Sequence, residues 1–132
     1  MKAFEIMHKP VLATTPRASV RDIAAQIVLN GISGMPVAER GGTVLGVITE
    51  ADVLEALSNG KKLEKLTAEE IMSNDPVTVD TETPVEKVIQ LLHEEGIVRV
   101  PVTEKGKLVG IISRGDVIKA VLEPEFLTFG AR

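Results

Sequence analysis

The 132-residue chain contains no cysteine, tryptophan or tyrosine, and only two histidines and three phenylalanines. Without cysteine there is no disulfide, no thiolate nucleophile and no cysteine-based zinc motif, and His8 and His93 are too few for a histidine-rich metal site. The phenylalanines lie near the ends, at Phe4, Phe126 and Phe129, so a pocket for a planar base has to be walled by aliphatic side chains. Long apolar runs are missing too. Val44–Thr49 and residues 109–112 are among the longest, far short of the roughly 20 residues that cross a bilayer. The first residues lack the basic start and apolar stretch of a secretory signal, so a cytoplasmic location without membrane contact is expected. There is no basic tract beyond Lys61-Lys62, and the formal net charge is −4, which argues against nucleic acid as a partner.

What the chain does have is 44% hydrophobic and 26% charged residues, the balance of an ordinary folded domain. It also has an internal repeat. Ile6-Met7 recurs as Ile71-Met72, Gly31-Ile32 as Gly96-Ile97, and Met35-Pro36-Val37 as Val100-Pro101-Val102, at an offset of 65. Gly46-Val47-Ile48-Thr49 recurs as Gly110-Ile111-Ile112-Ser113, and Asp52-Val53 as Asp116-Val117, at an offset of 64. The slips fall between Met7 and Val11 and in the turns 39–43 and 104–107, where a duplicated folded unit tolerates them.

Each half reads alike. A short β-branched stretch, 11–14 or 77–79, leads to a capping-box pattern, Ser19 with Asp22 or Thr83 with Glu86, with Pro84 at the first helical position. Val20, Ile23, Ala24, Ile27 and Val28, and then Val85, Val88, Ile89 and Leu92, keep helical spacing up to a stop at Gly31 or Gly96. Two strands follow across a glycine turn, 35–38 with 44–49 and 99–103 with 107–113, and a second helix closes each half, ending near Gly60 and before Pro124. The expected fold is α/β (α+β): two tandem β-α-β-β-α repeats, 1–65 and 66–132. A half of about 60 residues buries too little surface to be stable alone, so the copies are expected to pack as one pseudo-twofold pair across the short charged linker 60–66.

The Ile-Met start, the x-Pro-Val strand and the Gly-hydrophobic-Ile-Thr/Ser-x-x-Asp motif, each present twice in register, resemble tandem CBS domains, the modules named after cystathionine β-synthase. The resemblance covers residues 3–122. It implies a stand-alone pair that binds an adenosine derivative (AMP, ADP, ATP or S-adenosylmethionine) in clefts between the halves, forms a homodimer and regulates a partner protein, with no catalytic cofactor. It also implies that the motif Thr or Ser faces phosphate while the Asp holds the ribose. Thr49 with Asp52 and Ser113 with Asp116 are at the same time good capping boxes, and Gly46 and Gly110 are equally well explained by close backbone packing.

Carried over residue by residue, the family geometry makes the two clefts unequal. One gathers Arg99, Ile111, Ser113, Arg114 and Asp116 with Lys9, Val11, Ile32 and Ser33, and holds three cations. The second, expected to be weaker, gathers Gly34, Val47, Thr49, Glu50 and Asp52 with Asp75, Val77, Ile97 and Val98, and holds none. Arginine gives bidentate contacts to phosphate, so the Asp116 cleft is expected to take a phosphorylated ligand. His8 and His93 read as surface residues.

Catalysis is not expected. No Ser-His-Asp arrangement is visible, and the repeat puts Asp52 and Asp116 in separate clefts. The remaining alternative is a ligand-free scaffold, whose dimer or partner face would use Val53, Leu54, Leu57, Val117, Ile118 and Val121, with Phe4, Phe126, Leu127 and Phe129 at the ends.

Overall fold

The structure, a computed structural model, describes residues 1–129, with side chains as far as Glu123. Its mixed α+β elements run α1 (Ala3–Ile6), α2 (Val20–Asn30), β1 (Gly34–Ala38), β2 (Val44–Thr49), α3 (Glu50–Ser58), a 3-10 turn (Leu63–Lys65), α4 (Ala68–Ile71), β3 (Val79–Asp80), α5 (Val85–Glu94), β4 (Arg99–Glu104), β5 (Lys107–Ser113) and α6 (Arg114–Phe129). Among the described residues no helix is long and apolar enough to cross a membrane.

Two compact units result, and they do not follow the chain in simple halves. One comprises Leu12–Pro76 with Gly106–Leu108, and the other Met1–Val11 with Val77–Lys105 and the chain from Val109 onward. The N-terminal segment is therefore part of the unit built from the second repeat. Backbone hydrogen bonds account for this: Ala3 N–H donates to the Thr83 carbonyl at 2.8 Å, and Val85 N–H to the Met1 carbonyl at 2.9 Å. The linker plays the same part in the other unit, where Val20 N–H donates to the Leu66 carbonyl at 2.9 Å and Ala68 N–H to that of Ala18 at 2.9 Å.

These bonds correct the expected caps. Ser19 makes no side-chain cap, and Pro84 stands at the N-cap of α5 and not at its first helical position. The first N–H of each helix is taken by a main-chain carbonyl from elsewhere in its unit, Leu66 for α2 and Met1 for α5. The hydroxyl of Thr83 instead accepts from Asp80 N–H at 3.0 Å. Gly31 and Gly96 adopt φ of 61° and 62°, the left-handed conformation that ends a helix at little steric cost. Pro124 does not end α6, which continues to Phe129. A proline lacks only its own N–H and crowds one carbonyl a turn back, which bends a helix without always stopping it.

In the first unit β1 and β2 pair antiparallel, with Gly34 opposite Thr49, and the expected strand 11–14 is reduced to one parallel bridge between Thr14 and Val37. Pro10 and Pro16 bracket that stretch and cannot donate to a ladder. In the second unit the sheet order is β3-β4-β5, with β3 parallel to β4. Each unit has its own core. Ile23, Met35 and Ile48 are fully buried in one, and Val88, Val100 and Ile112 in the other.

A cap not anticipated from the sequence closes α4, where the Glu70 carboxylate accepts from Thr67 N–H at 2.9 Å and Thr67 Oγ1 at 3.0 Å. The backbone N–H first, and then the hydroxyl, hold the Glu70 carboxyl below its ordinary value of 4.5. A depressed acid contributes stability above its ordinary value and loses it as the pH falls through the folded value. Glu70→Gln is therefore expected to lower stability slightly at pH 7 and to flatten a small part of the acid side of the profile, the two proteins converging as the pH falls well below 4.5. Urea titrations of both proteins across that range check this; a parallel loss in the two would remove the cap from the account.

Candidate functional site

Two half-sites of the same design stand where β2 runs into α3 and where β5 runs into α6. At the first, Thr49 N–H and Oγ1 donate to Asp52 Oδ2 at 2.8 and 3.0 Å, while Asp52 N–H reaches Thr49 Oγ1 at 3.4 Å. At the second, Ser113 N–H and Oγ donate to Asp116 Oδ2 at 2.8 and 3.0 Å, and Asp116 N–H reaches Ser113 Oγ at 3.3 Å. Both capping boxes exist, so each motif builds its own helix start. Each leaves the second carboxylate oxygen outside the box, an acceptor in its chemistry for a hydroxyl, though at Asp116 that oxygen also meets the side chain of His8.

The glycines are explained by packing. A side chain at Gly110 would collide with Met7, and one at Gly46 with Met72 and the Ser73 carbonyl. The Ile-Met motif and the strand glycine are thus two sides of one contact, made once in each unit. The same contact brings a peptide segment alongside each strand: His8 and Ile111 exchange backbone hydrogen bonds of 2.8 and 3.2 Å, and Ser73 and Val47 exchange bonds of 2.9 and 3.2 Å.

In the unit that holds Asp116, the structure gathers Lys9, Val11, Arg99, Ile111, Ser113 and Arg114. Lys9 is exposed, Val11 is half-buried, and Arg99 is half-buried at the first position of β4. Arg114 is anchored by its backbone N–H to the Val98 carbonyl at 2.9 Å and by Nε to the Ile97 carbonyl at 3.0 Å. Ile97 and Val98, expected near Asp52, thus meet Arg114 through their carbonyls. Ile32 and Ser33 belong to the other unit, where the Ser33 carbonyl accepts from Glu50 N–H at 2.9 Å.

The unit that holds Asp52 also holds Val47, Thr49, Gly34, Glu50 and Asp75, whereas Val77 falls in the other unit. Asp52 lines a depression of about 280 Å³ together with Glu55, Glu70 and Lys61. Lys61 is a cation that the sequence reading did not place there, and it faces three carboxylates.

Sequence reasoning also missed His8. Its side chain is 71% exposed, as a surface residue's would be, yet its Nε2 lies 2.5 Å from Asp116 Oδ1. The pair borders a depression of about 160 Å³ that Glu5, Lys119 and Glu123 also line. The signal was available: at the offset of 65, His8 is the counterpart of Ser73, but the one-residue slip before Val11 obscured it. Ser113, Asp116 and His8 now stand together, with the carboxylate between the other two. The hydroxyl donates to a carboxylate and not to an imidazole, so this is not the arrangement of a base activating a nucleophile. Among the described residues no group of three or more acidic or histidine side chains is placed to hold a metal.

Comparison with known proteins gives concordant matches. The family model for the CBS domain matches residues 3–59 and 68–123. A curated protein of Methanopyrus kandleri, MK0525, is 29% identical over 95% of the chain and 68% of its own length. Curated enzymes that also match are far longer, the chain spanning between 15% and 24% of them. Among solved structures, CBSX2 of Arabidopsis thaliana in complex with AMP aligns with a TM-score of 0.83 and 29% identity, covering 94% of this chain and 98% of that one. The CBS domain pair of MJ0100, solved with 5′-methylthioadenosine and S-adenosyl-L-methionine, aligns at 0.82 and 27% identity, covering 92% and 99%.

Proposed function

The chain belongs to the CBS domain family, and from that premise we propose that it is a regulatory module that binds an adenine nucleotide as a ligand, at the Asp116 half-site, and carries out no reaction. The observation that carries this reading is the charge around Asp116. Lys9, Arg99 and Arg114 share its compact unit, and Lys119 lines its depression with Glu5 and Glu123, whereas the depression at Asp52 sets Lys61 against Glu55 and Glu70. A ribose needs a carboxylate acceptor and a phosphate needs cations, and the unit of Asp116 offers two arginines where the depression at Asp52 offers one lysine facing three carboxylates. Ser113 Oγ and the first turn of α6 lie beside them, where a helix start favours an anion. The relative solved with AMP supports this ligand class. The relative solved with S-adenosyl-L-methionine supports a second reading, a nucleoside without phosphate, which makes no use of the arginine charges.

The test is direct. A heated wash of purified protein, followed by mass spectrometry of the released small molecules, is expected to show an adenine nucleotide. Adding AMP, ADP or ATP to stripped protein should raise its melting temperature by several degrees at concentrations well above the dissociation constant. No shift with any of these or with S-adenosylmethionine would favour the scaffold reading.

The module acts as a homodimer in this proposal. Val53 and Val117 are spent inside the units, but Leu54, Leu57, Ile118 and Val121 are 67%, 51%, 58% and 61% exposed, and Val28 and Leu29 extend the apolar surface on α2. Phe4 is exposed at 47%; Phe126, Leu127 and Phe129 lie outside the described side chains. Leu54→Glu together with Ile118→Glu is expected to give a monomeric mass by light scattering at tens of micromolar. A dimer that survives both changes would move the interface elsewhere.

A further inference from the structure

His8 and Ser73 occupy equivalent places, each locked by two backbone hydrogen bonds to the strand that carries the motif, Ile111 for one and Val47 for the other. The backbone at the two positions is thus satisfied in the same way by either residue, and the imidazole of His8 is not required for the fold. What the imidazole does is cover Asp116. Oδ2 of that carboxylate is already used by Ser113 N–H and Oγ, and Oδ1 is the oxygen that meets His8 Nε2 at 2.5 Å. The Asp116 side chain is only 12% exposed, against 71% for His8, so the histidine is the solvent-facing partner with room to turn away and the carboxylate the sheltered one.

We propose that His8 is a latch on the Asp116 half-site, whose imidazole holds the outer carboxylate oxygen and has to leave before a ligand hydroxyl can bond there. The inference rests on the nucleotide-binding reading above and adds a specificity-determining residue to it. An ion pair with one exposed partner is weak, so the latch opens readily and lowers affinity only modestly. Its consequence is a threshold: the site responds to its ligand at a higher concentration than the bare carboxylate would. The counterpart Ser73 makes no such contact with Asp52 among the described residues, so the device belongs to one half-site and is not built into the repeat.

Adenosine is the appropriate probe, because it carries the ribose hydroxyls and no phosphate that the imidazole could itself bind. Calorimetric titration of adenosine into wild type, His8→Ser and His8→Ala is expected to show both variants binding about two- to fivefold more tightly, with melting temperatures of the ligand-free proteins close to wild type. His8→Ser installs the residue that the other repeat uses at this place, which guards against loss of the fold. Equal or weaker binding by both variants, with wild type still binding, would overturn the latch and leave the nucleotide reading intact. If none of the three binds adenosine or AMP, the nucleotide reading fails and the latch with it.

Discussion

Gly46→Ala is expected to lower the melting temperature by roughly 8–10 °C, and Gly110→Ala by less than half as much. A Cβ at Gly46 would be forced against the carbonyl oxygen of Ser73, which is held in place because Ser73 N–H donates to the Val47 carbonyl at 2.9 Å and Val47 N–H returns the bond at 3.2 Å. Neither strand nor segment can retreat without breaking that exchange, so the cost falls at the upper end of overpacking, about 3 kcal/mol. At Gly110 the three nearest atoms belong to the Met7 side chain, which has three rotatable bonds and can swing away. Replacing glycine also removes freedom from the unfolded chain, which offsets about 0.4–1 kcal/mol in both variants. A double-mutant cycle separates the two cases: Met7→Ala should recover much of the Gly110→Ala loss, and Met72→Ala little of the Gly46→Ala loss, as read by urea denaturation. Equal losses for the two glycines, unrelieved by either methionine change, would mean that the contact was misread.

That contact marks how far the sequence could be read. The repeat offset, the helix-strand-strand-helix order and most of the buried faces of α2 and α5 were legible, because periodicity records which residues face a core; Val28 and Ile89, in the same spacing, are exposed at 79% and 40%. The pairing of Met7 with Gly110 and of Met72 with Gly46 was not, since a methionine and a glycine about a hundred residues apart, or twenty-six apart, show no shared period. The assignment of Met1–Val11 to the unit of the second repeat was hidden for a similar reason. It depends on backbone hydrogen bonds, such as Val85 N–H to the Met1 carbonyl, to which side-chain chemistry contributes nothing. The cap expected at Thr83 failed because the helix starts one residue later, with Pro84 at the N-cap, and the Thr83 hydroxyl turns to Asp80 N–H; Ser19 makes no side-chain cap.

The half-sites were legible in their hydroxyls and carboxylates, because Thr49 with Asp52 and Ser113 with Asp116 are local motifs whose geometry the intervening turn fixes. Their surroundings were less so. Lys61 and His8 reach Asp52's depression and Asp116 by way of the fold, and both alter the surroundings that the sequence alone assigned. Lys61 does not reverse the contrast, since it faces Asp52, Glu55 and Glu70 together.

On that contrast, the largest effect on binding is expected from Arg99→Ala, which should weaken AMP about ten- to a hundredfold while leaving adenosine within a few-fold of wild type. A charge-assisted hydrogen bond contributes roughly 1.5–3 kcal/mol when well formed, and the adenosine comparison isolates the part that belongs to phosphate. Asp116→Ala should weaken AMP and adenosine alike, because both present the same ribose hydroxyls to the carboxylate. Truncating Asp116 also removes the acceptor of Ser113 N–H and Oγ, so some loss of helix capping accompanies it, on the order of 1 kcal/mol. Asp52→Ala carries that same capping loss through Thr49, and serves as the control for stability. It should leave AMP affinity within about twofold, since a half-site rich in carboxylates repels the phosphate that the other attracts. Calorimetric titration of both ligands into the three variants ranks the effects. Loss of AMP binding in Asp52→Ala with retention in Asp116→Ala would place the ligand at the acidic half-site, against the electrostatics on which the assignment stands.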